Sequence, residues 1–393
     1  MQKIIPECPI CGTVQAPPSK SMAHRLLIGA ALCDRESRIQ NIGTCADVLA
    51  TANCLRTMGA QVQMQNGAAI VRGPLCKTGT LHCADSASTL RFLLPLCLLQ
   101  NTESVLSGSA QLLRRPMEIF EKLCAKQGLF YKTEPDGIRI RGKLQSGTFS
   151  IPGNVSSQFI SGLLFALPFL QGDSTVQLLP PVESAPYIRM TMEVLSRYGI
   201  QTLWQNDRIF VPGNQTACPS DSTVEGDWSA AAYIAALGEN VTVTGLLPDS
   251  LQGDKIYPQY FDALRSGCPT LDVRDCPDLA PVLTVLAAVY NGAALTGTAR
   301  LRLKESDRIT CMQSELRKCG VSFTAEENCV RIAPGVRKPT ESLFAHGDHR
   351  IAMALAAILV RVGGILDGAE AVQKSFPDFW DVLNSLRNEG TNT

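Results

Sequence analysis

The sequence predicts an α/β protein of two domains built from six related units. Three observations carry that reading. First, small polar or acidic residues open apolar, helix-like runs at near-regular spacing: Ser19, Ser86, Ser156, Asp227, Asp278 and Asp348 stand 67, 70, 71, 51 and 70 residues apart. Second, short β-rich runs ending in turn residues lie between them, among them Ala69-Ile70-Val71-Arg72-Gly73-Pro74, Ile138-Arg139-Ile140-Arg141-Gly142, Arg208-Ile209-Phe210-Val211-Pro212-Gly213, Val241-Thr242-Val243-Thr244-Gly245 and Cys329-Val330-Arg331-Ile332. Third, 393 residues exceed one ordinary core and suit two domains. Any α/β chain alternates helices and strands, but a period near seventy with recurrent helix-start chemistry marks a repeated unit. The Gly-containing turn Val224-Glu225-Gly226-Asp227 is a candidate hinge between halves.

The bulk composition narrows the function. Lys+Arg and Asp+Glu balance at 36 each, so no basic excess points to nucleic acid. The first residues contain Glu7 and no long apolar run, which makes a poor secretion signal. The richest apolar stretches, Phe159 to Leu170 and Ile351 to Val360, are too short to span a bilayer. A cytoplasmic protein that binds neither nucleic acid nor membrane is the expectation. The 15 cysteines are scattered and often sit in apolar runs, as buried reduced thiols do. Cys8 and Cys11 have metal-knuckle spacing, but no second pair completes four ligands, and no metal or cofactor is expected.

Five of the helix openings set Lys or Arg at or near their start: Ser19-Lys20-Ser21 with Arg25, Asp85-Ser86-Ala87-Ser88-Thr89-Leu90-Arg91, Ser184 to Arg189, Lys304-Glu305-Ser306-Asp307-Arg308 and Asp348-His349-Arg350. Free N–H groups at a helix start favour negative charge, and a fixed cation deepens the well. A small ligand with several anionic groups is implied. Ser21 and Arg25, four apart, share a face and can meet one ligand; a capped helix with solvated cations reads equally well. Ser156, Ser157 and Gln158 supply more polar groups than capping needs. The run from Lys304 to Arg308 is either an anion site or a solvated charged face. Arg350 opens a helix apolar on nearly every side, so it needs a partner. Asp278, opening Leu279 to Val289, and Glu305, beside Lys304, are carboxylates next to cations that could accept a proton; for Asp278 an N-cap is the competing role.

Taken together these strings resemble the 3-phosphoshikimate 1-carboxyvinyltransferase, or EPSP synthase, family from about Cys11 to Leu386. Pro18-Ser19-Lys20-Ser21 with Arg25 looks like its first signature, Ser88-Thr89-Leu90-Arg91-Phe92 its second, and Arg114-Arg115-Pro116 the next arginine site. Ser156-Ser157-Gln158, Ser184 with Tyr187, Glu225-Gly226-Asp227, Asp278, Lys304 to Arg308, Asp348-His349-Arg350 and Lys374-Ser375-Phe376-Pro377-Asp378 follow in family order.

The resemblance implies six βαβαββ units, three per domain, in an inside-out α/β barrel arrangement. It implies an N-terminal domain over 13–225, a second domain of 1–12 with 226–393, and an active site in the cleft between them. Shikimate-3-phosphate would meet Lys20, Ser21, Arg25, Ser156, Ser157, Gln158, Ser184, Tyr187, Asp278 and Lys304. Phosphoenolpyruvate would meet Lys20, Arg91, Arg115, Gln158, Arg308, Arg350 and Lys374. Asp278, Glu305 and Lys20 would be catalytic, with His349 a proton relay, in a cofactor-free addition–elimination carried out by a monomer. The chain departs from the family at Pro18 and Asp85, and at Ala87, where Gly is common. A methyl group there narrows the phosphoenolpyruvate pocket, and the likeness to tolerant members implies reduced sensitivity to glyphosate. Two other readings stand beside this one. A UDP-N-acetylglucosamine enolpyruvyl transferase would carry Lys-Asn in place of Lys20-Ser21, and a silent phospho-acid binder would lack Lys20, Asp278 or Glu305.

Overall fold

In the computed structural model, which describes residues 1–391, the α-helices in chain order are α1 (Lys20–Ala31), α2 (Ala46–Thr57), α3 (Ala87–Cys97), α4 (Ala110–Leu113), α5 (Glu118–Lys126), α6 (Ser157–Ala166), α7 (Ala185–Arg197), α8 (Trp228–Ala235), α9 (Tyr257–Ser266), α10 (Ala280–Val289), α11 (Arg308–Lys318), α12 (His349–Val362) and α13 (Phe379–Thr391). The polar residues that mark the repeat mostly start them. Ser19 accepts from Met22 N, Ser86 from Thr89 N, Ser156 from Gln158 N, Asp227 from Ala230 N and Asp348 from Arg350 N, each satisfying a backbone N–H the helix cannot. Asp278 is the exception. It sits in a 3-10 turn, Pro277–Leu279, and α10 starts after it without a side-chain cap.

Four sheets share one design, in which a parallel pair is extended by an antiparallel hairpin. They are Ser222–Thr223, Ser37–Gln40, Ala68–Arg72, Gln61–Gln65; Thr80–His82, Ser104–Ser107, Gly137–Arg141, Phe130–Glu134; Thr148–Pro152, Ser174–Leu179, Arg208–Val211, Leu203–Gln205; and Thr270–Asp272, Ala293–Thr296, Cys329–Ile332, Phe323–Ala325. In the last three, a helix (α3, α6 or α10) bridges the parallel pair, as a crossover must. Side chains alternate as the pleat requires: Phe149 and Ile151 are buried while Thr148 and Ser150 face out.

The remaining two sheets are abbreviated. Asn240–Thr244 pairs in parallel with Cys11–Gln15, and Gly364–Asp367 is flanked by Gln2–Ile5 and Leu343–Phe344. The unit after Asp227 therefore has no hairpin of its own, which accounts for its short interval of 51 residues. Both N-terminal strands complete sheets of the later half. The chain accordingly divides into one compact unit of Pro18–Glu225 and another of Met1–Pro17 with the described residues from Gly226 on. Residues 13–17, expected with the earlier half, go with the later one because Cys11–Gln15 is a strand of its sheet.

Each unit has its own apolar core. In Pro18–Glu225 the cores of α1, α3 and α6 are apolar on almost every side, the pattern of a helix buried all round. α3 and α6 approach so closely that a Cβ on Gly162 would come within 2.2 Å of the Arg91 carbonyl oxygen. Backbone cannot swing aside as a side chain can, so Gly162→Ala must push the helices apart. Overpacking of this kind costs about 1–3 kcal/mol. Chemical denaturation should show Gly162→Ala destabilised in that range; an unchanged unfolding midpoint would contradict the packing described.

Candidate active site

Within Pro18–Glu225 the first turns of α1, α3 and α6 bring together several of the residues singled out from the sequence. Lys20, the first residue of α1, pairs with Asp47 of α2 at 3.0 Å. Arg91 of α3 donates from Nη1 to Gln158 Oε1 at 2.9 Å and from Nη2 to the Pro116 carbonyl at 2.7 Å, with its guanidinium 4.6 Å from the centre of the Phe159 ring. Gln158, in the first turn of α6, donates in turn to Ser88 Oγ at 2.9 Å. Ser156 caps α6 and Ser157 is its first residue. The side chain of Ala87 is buried at the start of α3, and Asp85 lies outside the helix, exposed.

Arg25 is a different case. Its guanidinium is buried, donating from Nε to Thr191 Oγ1 at 2.8 Å and from Nη1 and Nη2 to the carbonyls of Ser21 and Tyr187 at 2.7 and 3.0 Å. Burial pulls its pKa down to about 10, which leaves it charged at neutral pH. Arg25 thus ties α1 to α7, and the Tyr187 backbone is part of that tie. Ser184, at the start of α7, is held in the left-handed region at φ 57° and does not cap the helix. A non-glycine residue there costs about 1–3 kcal/mol, a strain that concentrates at functional sites. Arg115 follows α4, half-buried. Arg189 lies over the Trp204 ring at 4.7 Å, on the charged face of α7.

The other unit holds a denser cluster. Arg308, the first residue of α11, has a side chain only 2% exposed and donates to three carboxylates. Nη1 reaches Asp278 Oδ1 at 2.8 Å, Nη2 reaches Glu305 Oε2 at 3.0 Å, and Nε reaches Asp348 Oδ2 at 2.9 Å. Asp348 also caps α12 and accepts from Ser306 Oγ at 3.2 Å. Arg350 Nη2 contacts Asp278 Oδ2 at 3.4 Å and stacks over the Tyr233 ring, while the Tyr233 hydroxyl donates to the Asp278 carbonyl at 2.7 Å. Lys304 Nζ stands 3.8 Å from Asp278 Oδ1. Asp278 is therefore gripped by three cations and is not a helix cap. His349 is buried beside Asp348, its Nδ1 3.9 Å from Asp348 Oδ1, and Lys374 ends the 3-10 segment Ala369–Lys374.

The electrostatics follow from this crowding. Burial opposes ionisation of Asp278, but Lys304, Arg350 and Arg308 outweigh it and hold the carboxyl well below the usual aspartate range. Lys304 is pulled down to about 8 by burial, against the upward pull of Asp278, with Arg300 and Arg308 adding to the fall. Arg308 and Arg350 stay firmly protonated: burial works against their charge, and the carboxylates overcome it. The cluster balances three cations against three carboxylates, and a carboxylate kept ionised within it can accept a proton from a hydroxyl held against it.

Sequence reasoning missed several partners. Asp47 resembled an ordinary acidic residue in a first helical turn, and nothing local ties it to Lys20. Tyr233 carries no signal, and Pro116 is marked only by the arginines before it, because their roles come from a ring face and a backbone carbonyl. Asp348 was legible as a helix start but not as a ligand of Arg308, forty residues earlier. Among the described residues no group of three or more His, Cys, Asp or Glu is arranged to hold a metal.

With this geometry in view, the likeness to known proteins is informative. The family model described as EPSP synthase (3-phosphoshikimate 1-carboxyvinyltransferase) matches residues 5–261 and 259–383. The 3-phosphoshikimate 1-carboxyvinyltransferase of Clostridium kluyveri is 37% identical, covering 96% of this chain and 95% of that protein. Its counterpart in Clostridium acetobutylicum is 35% identical, covering 98% and 96%. An EPSP synthase structure from Acinetobacter baumannii superposes with a TM-score of 0.79 over 98% of both chains at 24% identity. The enolpyruvyl transferase NikO from Streptomyces tendae has the same fold, with a TM-score of 0.76 at 15% identity over 98% of this chain and 97% of that one. The chain belongs to the EPSP synthase, or 3-phosphoshikimate 1-carboxyvinyltransferase, family.

Proposed function

We propose that this chain transfers the enolpyruvyl group of phosphoenolpyruvate to the 5-hydroxyl of shikimate-3-phosphate, releasing phosphate, in chorismate and aromatic amino acid biosynthesis. The observation that carries the reading is Asp278, a carboxylate kept ionised by Lys304, Arg308 and Arg350. Two phosphorylated acids need many cations, and a hydroxyl nucleophile needs a base that is unprotonated at neutral pH, the state in which these cations hold Asp278.

In this reading the hydroxyl oxygen adds to C2 of phosphoenolpyruvate as its proton passes to Asp278, and C3 gains a proton from Lys20 or Glu305, with His349 a relay. Loss of a proton from C3 and departure of phosphate then collapse the tetrahedral intermediate. Cations stabilise the leaving phosphate. Shikimate-3-phosphate meets Lys20, Ser21, Arg25, Ser156, Ser157, Gln158, Ser184, Tyr187, Asp278 and Lys304. Phosphoenolpyruvate meets Lys20, Arg91, Arg115, Gln158, Arg308, Arg350 and Lys374. Both sets take residues from Pro18–Glu225 and from the other unit. We place the protein in the cytoplasm as a monomer acting on these two small molecules; among the described residues no helix is long and apolar enough to cross a membrane.

Phosphate release from phosphoenolpyruvate should require shikimate-3-phosphate and be absent with UDP-N-acetylglucosamine. Removing a general acid or base costs about 100- to 10,000-fold, so Asp278→Ala and Lys20→Met should each lose at least the lower figure while remaining folded. Activity surviving both substitutions would overturn the assignment.

Ala87 adds a finer prediction, because its methyl group is buried at the start of α3, four residues before Arg91. A methyl that narrows a pocket changes affinity by about 1–3 kcal/mol, roughly 10- to 200-fold. Glyphosate inhibition should therefore be weak and strengthen by about tenfold or more in Ala87→Gly; equal inhibition of both proteins would refute the narrowing.

A further inference from the structure

The assigned residues of Pro18–Glu225 lie on α1, α3, α6 and α7 and just after α4, and none is on α2. Yet α2 joins two of those helices. Lys20 and His24 stand four apart on α1, and Asp47 and Thr51 stand four apart on α2, so each pair shares a helix face. The pairs meet as two rungs. Lys20 Nζ lies 3.0 Å from Asp47 Oδ2, and His24 Nδ1 lies 2.7 Å from Thr51 Oγ1. The second rung runs on into α3. Thr51 Oγ1 is 2.7 Å from Thr89 Oγ1, and the Thr89 hydroxyl donates to Ser86 Oγ, the cap of α3, at 2.7 Å. His24, Thr51, Thr89 and Ser86 are all fully buried.

The chain of bonds has a fixed direction, because each hydroxyl has one proton to give. Thr89 spends its proton on Ser86, so it accepts from Thr51. Thr51 has then spent its own, so it accepts from His24. The imidazole must therefore carry a hydrogen on Nδ1. Removing the middle hydroxyl would strand a buried donor on His24 and leave α3 without its link to α1. The first turn of α3 that this relay holds is also the turn carrying Ser88, which accepts from Gln158, and Arg91, which donates to it.

We propose that Thr51 is a positioning residue for the phosphoenolpyruvate half of the reaction, holding the start of α3 in register with α1 so that Arg91 and Gln158 are presented at a set distance from Lys20. The proposal rests on the functional reading above. Lys20 and Gln158 serve both substrates, but Arg91 meets phosphoenolpyruvate alone, and Arg25, which meets shikimate-3-phosphate alone, is anchored separately by Thr191 and the Tyr187 carbonyl of α7, so the loss should fall mainly on phosphoenolpyruvate.

The test is steady-state phosphate release by Thr51→Val, which keeps the shape and removes the hydroxyl, and Thr51→Ser, which keeps the hydroxyl. Thr51→Val should raise KM for phosphoenolpyruvate roughly tenfold, about 1.4 kcal/mol of binding, while KM for shikimate-3-phosphate stays within about twofold. Thr51→Ser should restore KM for phosphoenolpyruvate to within about threefold of wild type. An unchanged KM for phosphoenolpyruvate in Thr51→Val, an equal rise in both KM values, or no rescue by Thr51→Ser would overturn the proposal. Should Thr51→Val fail to fold, long-range proton–nitrogen correlation of the wild-type His24 ring decides: hydrogen on Nδ1 supports the relay, and a neutral ring protonated on Nε2 overturns it. A wild-type protein that releases no phosphate would instead refute the functional reading, a result distinct from any effect of Thr51.

Discussion

The buried guanidinium of Arg308 is the interaction on which the later unit depends. One planar cation is shared among Asp278, Glu305 and Asp348, which come from a 3-10 turn, the approach to α11 and the cap of α12. Such a cluster is held by mutual need. Removing one partner of a buried charge pair typically costs about 3–5 kcal/mol, because the others are left uncompensated. The arrangement is better understood as specification than as stabilisation: it fixes where three chain segments meet, and it fixes the orientation of Asp278. Arg350 and Lys304 then complete the surroundings of that carboxylate.

The same cluster links protonation to folding. Asp278 has a folded-state pKa below its unfolded one, so its contribution to stability is present above the ordinary aspartate pKa and is lost as pH falls through the folded value. His346 has the opposite sign. Its hydrogen bonds to Cys311 and Glu315 raise it to about 9, so its contribution is full below its unfolded pKa of about 6.5 and is lost as pH rises through 9. The two act on one region, because His346 precedes Asp348 by two residues in the segment that leads into α12.

How much of this was legible in the sequence depends on the range of the interaction. Helix starts are local chemistry, and Ser19, Ser86, Ser156, Asp227 and Asp348 announced theirs. The seventy-residue rhythm exposed the repeated unit, and even its irregularity has a structural cause, a unit lacking its hairpin. The crossing at Pro17 was misjudged because strand pairing between Cys11–Gln15 and Asn240–Thr244 leaves no trace in either segment alone. Asp278 read equally well as a cap, and only the convergence of Lys304, Arg308 and Arg350 separates the two roles. Asp47, Thr51 and Tyr233 were invisible for the same reason: their partners lie on other helices or in other turns.

The central claim is that Asp278 is held ionised by the cations around it. Carbon-13 NMR of aspartate-labelled protein, with Asp278 assigned by its loss in Asp278→Asn, follows that carboxyl directly as pH is lowered while the protein remains folded. The account predicts that its resonance stays at the ionised position through the ordinary aspartate range near about 3.9. A carboxyl that titrates at or above that value in the folded protein would contradict it.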